Sequence, residues 1–411
     1  MNDGSPAPAP ARNSAQELAR RLGVEASWVV RLAEAGAIDR AADGTFDPGD
    51  VHRVRLLLAF EESGVPLDTL ISASAAGQIS LRYYDELHVP PAALTGRAYG
   101  EFAASLGDRR THLQQLFAAF GIAEPDADVE LSIDDETVLA ECLDAIVTTG
   151  QPDLVLRAIR MFGEGIRRAA DAALGIYAEA VSRTGENLAG LPVDEAFDRV
   201  LRPWARFARG SVDLTSWLTR RHMSRAIDAY SIVESERILQ ETGFLATRDG
   251  SPPAVVFVDL TGFTRLTQEI GDEAAASLAL KLGDVTVETV RSHGGRVVKL
   301  LGDGVLIRFG DAATAVEATL ELLDALPAAG LPTGHAGVAS GPLIVRDGDV
   351  FGRTVNLAAR ISDVAPDGRL LVTEAVAEGI ASEGLVLART EGALLQGIGL
   401  VPLVDVSREG G

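Results

Sequence analysis

The sequence predicts an α+β protein, an all-α first half followed by an antiparallel sheet with helices on one face. Three observations carry that reading. The chain has 411 residues, enough for two or three domains at the usual ~100–200 residues each. From about Thr111 to Ser231 it is written almost entirely in the helix formers Leu, Ala, Arg and Glu, with no strand alternation of any length. After residues 246–253 (ATRDGSPP), short β-branched runs begin to alternate with helical stretches.

Residues 1–13 (MNDGSPAPAPARN) are rich in Pro and Ala and predict a disordered tail. In SAQELARRLGV, Leu18 and Leu22 share one helical face, Ser14 and Glu17 form an N-cap pattern, and Gly23 ends the helix. EASWVVRLAEAG follows as a second helix and DVHRVRLLLAFEESG as a third, within a helix-turn-helix-like segment over 14–75. A helical domain over 76–245 is broken mainly at GIAEPDADVE, TTGQPD and TGENLAGLPVD. A linker of Gly, Pro, Ser and charge covers 246–252. AVVFVDL then reads as a strand, TRLTQEIGDEAAASLALKLGDVTVETVRSH as a long helical stretch, and GRVVKLLGDGVLIRF as two strands joined at Gly302-Asp303-Gly304. DAATAVEATLELLDAL is the next helix, and GHAGVASGPLIV and RDGDVFG follow it. The helix RTVNLAARISDV and the strand RLLVT close the pattern. The order βαββαβ over 253–406 is that of a ferredoxin-like sheet.

Charge narrows the function classes. The chain carries 37 basic and 59 acidic residues, a net −22. Such a field repels nucleic acid and anionic membrane, which excludes non-specific wrapping on either. From Pro252 on there are 12 basic and 21 acidic residues, so neither half is basic. The single cysteine, Cys142, excludes a disulfide framework and a Cys-based zinc site. No apolar run approaches the ~18 residues of a membrane span. Residues 1–13 lack the basic start and apolar core of a secretory signal, so the expectation is a cytoplasmic protein. Only two of the 37 basic residues are lysines, Lys281 and Lys299, which makes each a candidate for a position where arginine would not serve.

The second half holds the chemistry. Asp259 ends its first strand, in FVDLTGFT, and Asp303 occupies the tight hairpin KLLGDG. A strand end and a neighbouring hairpin tip meet across a sheet of this order. Two carboxylates one cation diameter apart repel unless cations lie between them, an arrangement that suits Mg²⁺ or Mn²⁺ shared with substrate phosphates. Spacing alone leaves open that both are ordinary turn aspartates, since turns favour the residue anyway. Thr261, Gly262, Phe263 and Thr264 follow at a helix start, where backbone N–H groups attract phosphate; one glycine before a helix is by itself a common feature. Lys299, four residues before Asp303, is predicted to share its face. Asn356 and Arg360, at i and i+4 in VNLAAR, share a helical face. Arginine stabilises charge developing on a phosphoryl group and asparagine orients a sugar oxygen. A solvated lysine and an exposed Asn/Arg pair are the plain alternatives.

FVDLTGFT, KLLGDG and DVFGRTVNLAAR, in that order, resemble the catalytic domain of class III adenylyl and guanylyl cyclases over residues 253–406. The resemblance implies that Asp259 and Asp303 bind two divalent cations, Mg²⁺ or Mn²⁺, with the backbone carbonyl of Leu260 as a further ligand. It implies that Lys299 and Asp349 read the purine, that Asn356 orients the ribose and that Arg360 stabilises the transition state. It also implies a homodimer, because the family's active site draws on two catalytic domains. The base pair of residues argues for ATP: adenine offers an N6 donor to a carboxylate and an N1 acceptor to an ammonium, and guanine reverses that pattern. Lys281 matches no motif and reads as a surface residue. Where many relatives carry a triphosphate-binding lysine this chain has Gln396, in LLQG, and His335, in HAGVASG, reads first as a satisfied sheet residue.

SAQELARRLGV with EASWVVRLAEAGAI, followed by DVHRVRLLLAFEESGVPLDTL, resembles a MerR-type winged helix-turn-helix over 14–75. Residues 1–75 hold seven arginines against eleven acids, and the candidate recognition helix holds only Arg31. Phosphate binding demands a basic surface, so DNA binding is disfavoured against a scaffold for domain contacts. The remaining helical part, ending in SIVESERILQETGF, resembles in layout the regulatory half of soluble actinobacterial adenylyl cyclases of the pH-responsive type. That resemblance implies autoinhibition and a response to protons; a small apolar molecule in the helical part is the other effector left open. His52, His88, His112 and His222 lie in this half, and His222, beside Arg221, is the first candidate sensor.

Overall fold

The computed structural model describes residues 12–47, 49–76, 78–79, 92–185, 195, 199, 202–245, 251–380 and 384–410. Most of the predicted tail, His88, and residues 246–250 of the predicted linker lie outside them. The chain divides into two compact units, Met1–Arg237 and Ile238–Gly411.

In the first unit, α1 (Ala15–Leu22) opens on the Ser14–Glu17 capping box and closes on Gly23 at φ 66°. Each bond of the box satisfies a helix-end N–H that has no intrahelical partner. α2 (Ala26–Glu34), α3 (Asp50–Glu62) and α4 (Leu67–Ala75) follow. Leu18, Leu32, Phe46 and Leu57 are fully buried in the core these helices share. Next come β1 (Leu94–Ala98), α5 (Tyr99–Ser105), α6 (Thr111–Phe120), β2 (Glu130–Ser132), α7 (Ile133–Thr149), α8 (Pro152–Gly185) and α9 (Arg202–Glu241). Tyr99, Phe102, Leu116 and Leu143 lie at the centre of a second core. β1 and β2 pair antiparallel, a small addition to the helical reading. β2 has only three residues, too few to show alternation in the sequence.

The second unit runs β3 (Ala254–Leu260), α10 (Phe263–Ile270), α11 (Asp272–Ser292), β4 (Arg296–Leu300), β5 (Gly304–Phe309), α12 (Ala312–Ala328) and β6 (Gly334–Ser340). It continues through β7 (Ile344–Arg346), β8 (Asp349–Phe351), α13 (Arg353–Ser362), β9 (Leu370–Thr373), α14 (Glu374–Gly379), β10 (Leu385–Arg389), β11 (Ala393–Leu395), β12 (Gly399–Val401) and β13 (Leu403–Arg408). Seven strands form one sheet in the order β10-β13-β9-β6-β3-β5-β4. Its run β6-β3-β5-β4 is antiparallel throughout and has the ferredoxin-like order. β9 joins it parallel to β6.

The sheet is apolar on both faces. Val256, Val258 and Leu260 of β3, with Val305 and Ile307 of β5, bury against Leu282 of α11 and Leu322 and Leu326 of α12. Burying each such side chain contributes ~1.5–3 kcal/mol. The alternate residues Val255 and Leu306 face the other way, onto Ala358 and Ile361 of α13. The sequence reading placed the helices on one face; α13 covers the second, because near-continuous apolar strands such as AVVFVDL need cover on both sides. α13 lies close. A Cβ built on Gly337 of β6 would stand 2.3 Å from the Ser362 nitrogen and 2.5 Å from the Ala358 oxygen. No helix of the described residues is long and apolar enough to cross a membrane.

Candidate active site

Alternation along β3 sets the site. Val255 and Phe257 point to the face that α13 covers, and Asp259, two residues further on, points the same way. Asp259 pairs in register with Gly304 of β5 on one side and His335 of β6 on the other. A Cβ at Gly304 would lie 3.0 Å from Asp259 Oδ1, so the glycine leaves the space that carboxylate occupies. Asp303 precedes it in the β4–β5 turn, and its carbonyl accepts the Leu260 N–H at 3.0 Å. The two aspartates are thus brought together.

The electrostatics of the pair favour a cation. The Asp259 carboxyl is pushed above the usual carboxylate range, first by burial and then by the charge of Asp303, with Asp363 adding to it; His335 and the Leu260 N–H oppose the shift. A half-buried carboxylate facing like charge is stabilised when a positive ion arrives. The donors are hard oxygens, the chemistry that Mg²⁺ and Mn²⁺ take. Among the described residues no group of three or more His, Cys, Asp and Glu side chains gathers to enclose a metal. The pair therefore suits an ion completed by other oxygen ligands.

After Asp259, Gly262 adopts φ 69° and caps α10, which begins at Phe263 rather than Thr264. The Thr261 N–H is already committed to the Thr333 carbonyl at 2.8 Å, and its hydroxyl lies 3.3 Å from His335 Nδ1. The amides of the first turn, Phe263 and Thr264 among them, are the ones a helix leaves open to phosphate.

The strand alternation behind the face predicted for Lys299 and Asp303 does not run from one to the other. β4 ends at Leu300 and its register slips between Val297 and Lys299, so period-two alternation does not reach the turn. Lys299 pairs with Asp349, at the start of β8, with Nζ donating to Oδ2 at 2.6 Å. The ammonium holds the Asp349 carboxyl below the usual range.

Asn356 and Arg360 lie on α13 and are exposed, while Thr354, Ala358, Ile361 and Ser362 of the same helix are buried. Arg360 Nη1 donates to Asp363 Oδ2 at 2.7 Å. Asp363 is a residue the sequence reading missed, although a carboxylate three positions after an arginine at a helix end was a usable signal. Gln396 sits exposed in the turn between β11 and β12. Lys281 lies on α11, away from these motifs in the sequence. In the first unit, His112 Nδ1 is 3.1 Å from Gln115 Oε1, His222 is exposed on α9, and His52 lines a cavity of ≈ 720 Å³ with Arg21, Arg55, Phe117 and Phe120.

No family model matches the chain. Among curated proteins, an adenylate cyclase of Streptomyces coelicolor is 43% identical over 126 residues, 30% of this chain and 33% of the relative. A pH-sensitive adenylate cyclase of Mycobacterium tuberculosis is 30% identical over 281 residues, 65% of this chain and 66% of the relative. The chain thus spans a third of the length of the first relative and just under two thirds of the second. Among solved structures, the adenylyl cyclase CyaB from P. aeruginosa matches 38% of this chain and 93% of its own at 21% identity, with a TM-score of 0.34. The aligned relatives are adenylate cyclases, and the ordered motifs around Asp259, Asp303 and Arg360 make the second unit of this chain similar to class III adenylyl and guanylyl cyclases.

Proposed function

We propose that the chain is an adenylyl cyclase that converts ATP to 3′,5′-cyclic AMP and pyrophosphate at sites shared between two copies. The observation that carries this is the placement of three functional pairs on one side of one sheet: Asp259 with Asp303, Lys299 with Asp349, and Asn356 with Arg360. Asp259, Asp303 and the Leu260 carbonyl would hold two divalent ions, Mg²⁺ or Mn²⁺. When bound, such ions neutralise phosphate charge and ease loss of the proton from the ribose 3′-hydroxyl.

The protein's own groups then position and stabilise. Asp349 accepts from adenine N6 and Lys299 donates to N1, which sets the base. Asn356 orients the ribose so that the 3′-oxygen lies in line with the α-phosphorus. That oxygen forms the new P–O bond as the bond to the bridging oxygen of pyrophosphate breaks, and the hydroxyl proton leaves to solvent. Arg360 faces the charge that builds on the α-phosphoryl oxygens. The first turn of α10 faces the departing phosphates.

An exposed apolar surface supports the dimer. Among the described residues one copy gathers no group of three metal-ligating side chains, and Leu300, Leu301, Ile344, Val345 and Phe351, on or beside β4, β7 and β8, are exposed. Apolar patches of this kind mark interaction sites. In the two-fold arrangement, the aspartates of one copy meet the base-reading and arginine side of the other. For the first unit we infer control by pH or by a small apolar ligand. The pH sensitivity of the mycobacterial relative, the cavity beside His52 and the exposed His222 support this.

The test is production of cyclic nucleotide by the full chain from ATP and from GTP, with Mg²⁺ and with Mn²⁺. Cyclic AMP from ATP is expected, with GTP a poor substrate. No cyclic nucleotide from either, with either ion, overturns the reading.

A further inference from the structure

We propose that Thr261 and His335 form a chain that positions the Asp259 carboxylate, which makes His335 a positioning residue for cation capture. The inference rests on the reading of Asp259 as a cation ligand. Asp259 stands in register between Gly304, which has no side chain, and His335, which does. Orientation of the carboxylate is therefore imposed from one side only. His335 Nε2 lies 3.9 Å from Asp259 Oδ2, and the ring is 16% exposed against 46% for the aspartate. That separation is too long for a direct hydrogen bond, and it leaves the carboxylate able to close on an ion while still facing the ring.

The far side of the ring is fixed as well. Nδ1 faces Thr261 Oγ1 at 3.3 Å, and the Thr261 N–H is tied to Thr333 at 2.8 Å, so the hydroxyl sits on an anchored backbone. A hydroxyl donating to Nδ1 leaves the ring proton on Nε2, aimed at the carboxylate. The remaining charged groups that act on Asp259, namely Asp303 and Asp363, are both acids. They repel the carboxylate, while the Leu260 N–H on its own strand and the His335 side chain across the register attract it, so His335 is the side chain that draws it to a defined position. Thr261 thereby acquires a role other than phosphate binding.

Partners that orient a metal ligand are worth ~10–100-fold in metal affinity. The experiment titrates the full chain with Mn²⁺ and reads free Mn²⁺ by electron paramagnetic resonance, without nucleotide, in wild type, Asp259→Asn, His335→Asn, Thr261→Val and the double variant. His335→Asn should weaken Mn²⁺ binding about tenfold and Thr261→Val about threefold. The double variant should match His335→Asn, because Thr261 acts only through the ring. His335→Gln, whose amide N–H reaches the place of Nε2, should recover part of the loss. Equal Mn²⁺ binding in wild type, His335→Asn and Thr261→Val, or additive losses, would overturn the proposal. Should His335→Asn fail to fold, Thr261→Val decides alone: weakened binding supports the chain and unchanged binding overturns it. Loss of Mn²⁺ binding is expected for Asp259→Asn. If binding survives that substitution, the underlying assignment of Asp259 fails instead, and this inference falls with it.

Discussion

Lys299 and Asp349, 50 residues apart in the chain, meet at 2.6 Å. An ammonium and a carboxylate so placed present one donor and one acceptor side by side, the complement of the N1–N6 edge of adenine. Lys299→Glu with Asp349→Cys should therefore weaken use of ATP and raise relative use of GTP. Losing one partner in a polar site costs ~1–3 kcal/mol, so the ATP/GTP ratio of kcat/KM should move about ten- to a hundredfold. An unchanged ratio would mean these residues do not read the base.

Asp303→Ala should abolish cyclase activity while the oligomeric state is kept, since the side chain lies in a turn and not in a core. Sedimentation and activity measured on the same preparation check it. Retention of activity within about tenfold of wild type would argue against a two-ion site.

Asp259 links stability to pH. Its carboxyl is raised above the usual range on folding. A raised carboxyl costs stability above its folded pKa and none below its unfolded value of 3.8. Asp259→Asn should therefore raise the melting temperature at pH 7 in the presence of a chelator, and change it little near pH ~3. The side chain is 46% exposed and solvent screens it, so the gain is at most about 1 kcal/mol. Added Mn²⁺ should stabilise the wild type and not the variant.

Asp259→Ala and Arg360→Ala proteins should each be inactive alone. Equal mixing with free exchange makes half the dimers mixed, each with one whole site of two, so activity should recover to about a quarter of wild type. No recovery despite demonstrated exchange would refute a site built from two copies.

Arg360 rests on Asp363 in an exposed ion pair at the end of α13. An acid at a helix C-terminus opposes the helix dipole, so its place there points to the arginine. Substrate phosphates must compete with it. Exposed pairs are worth about 0–1 kcal/mol, so Asp363→Asn should lower KM for ATP by up to about fivefold. A higher KM would mean that Asp363 orients Arg360 for substrate instead of withholding it.

The elements that carry the site were legible because their signals are local. AVVFVDL, the Gly302-Asp303-Gly304 turn and the i, i+4 spacing of VNLAAR each declare themselves within a dozen residues. What the sequence hid depends on neighbours far along the chain. Lys299 and Asp349 were legible as a pair through the resemblance, but the register slip in β4 that breaks alternation ahead of Lys299 is announced by no residue pattern. That α13 covers the second face follows from packing against β3 and β6. The β1–β2 ribbon is too short to alternate. His335 was visible as a residue, but its position between Thr261 and Asp259 needed the β3–β6 register.

The close seat of α13 on Gly337 divides that helix into two independent surfaces. Its inner side meets the sheet through bare backbone, with Ser362 N and Ala358 O filling the place of a side chain. Its outer side carries Asn356 and Arg360, and little of the fold depends on them. Substitutions can accumulate on the outer side at small cost to folding. A single methyl group at position 337 would displace Asn356 and Arg360 together. The helix is thus an interchangeable tool on a fixed mount: its cutting edge is free to vary and its seating is not.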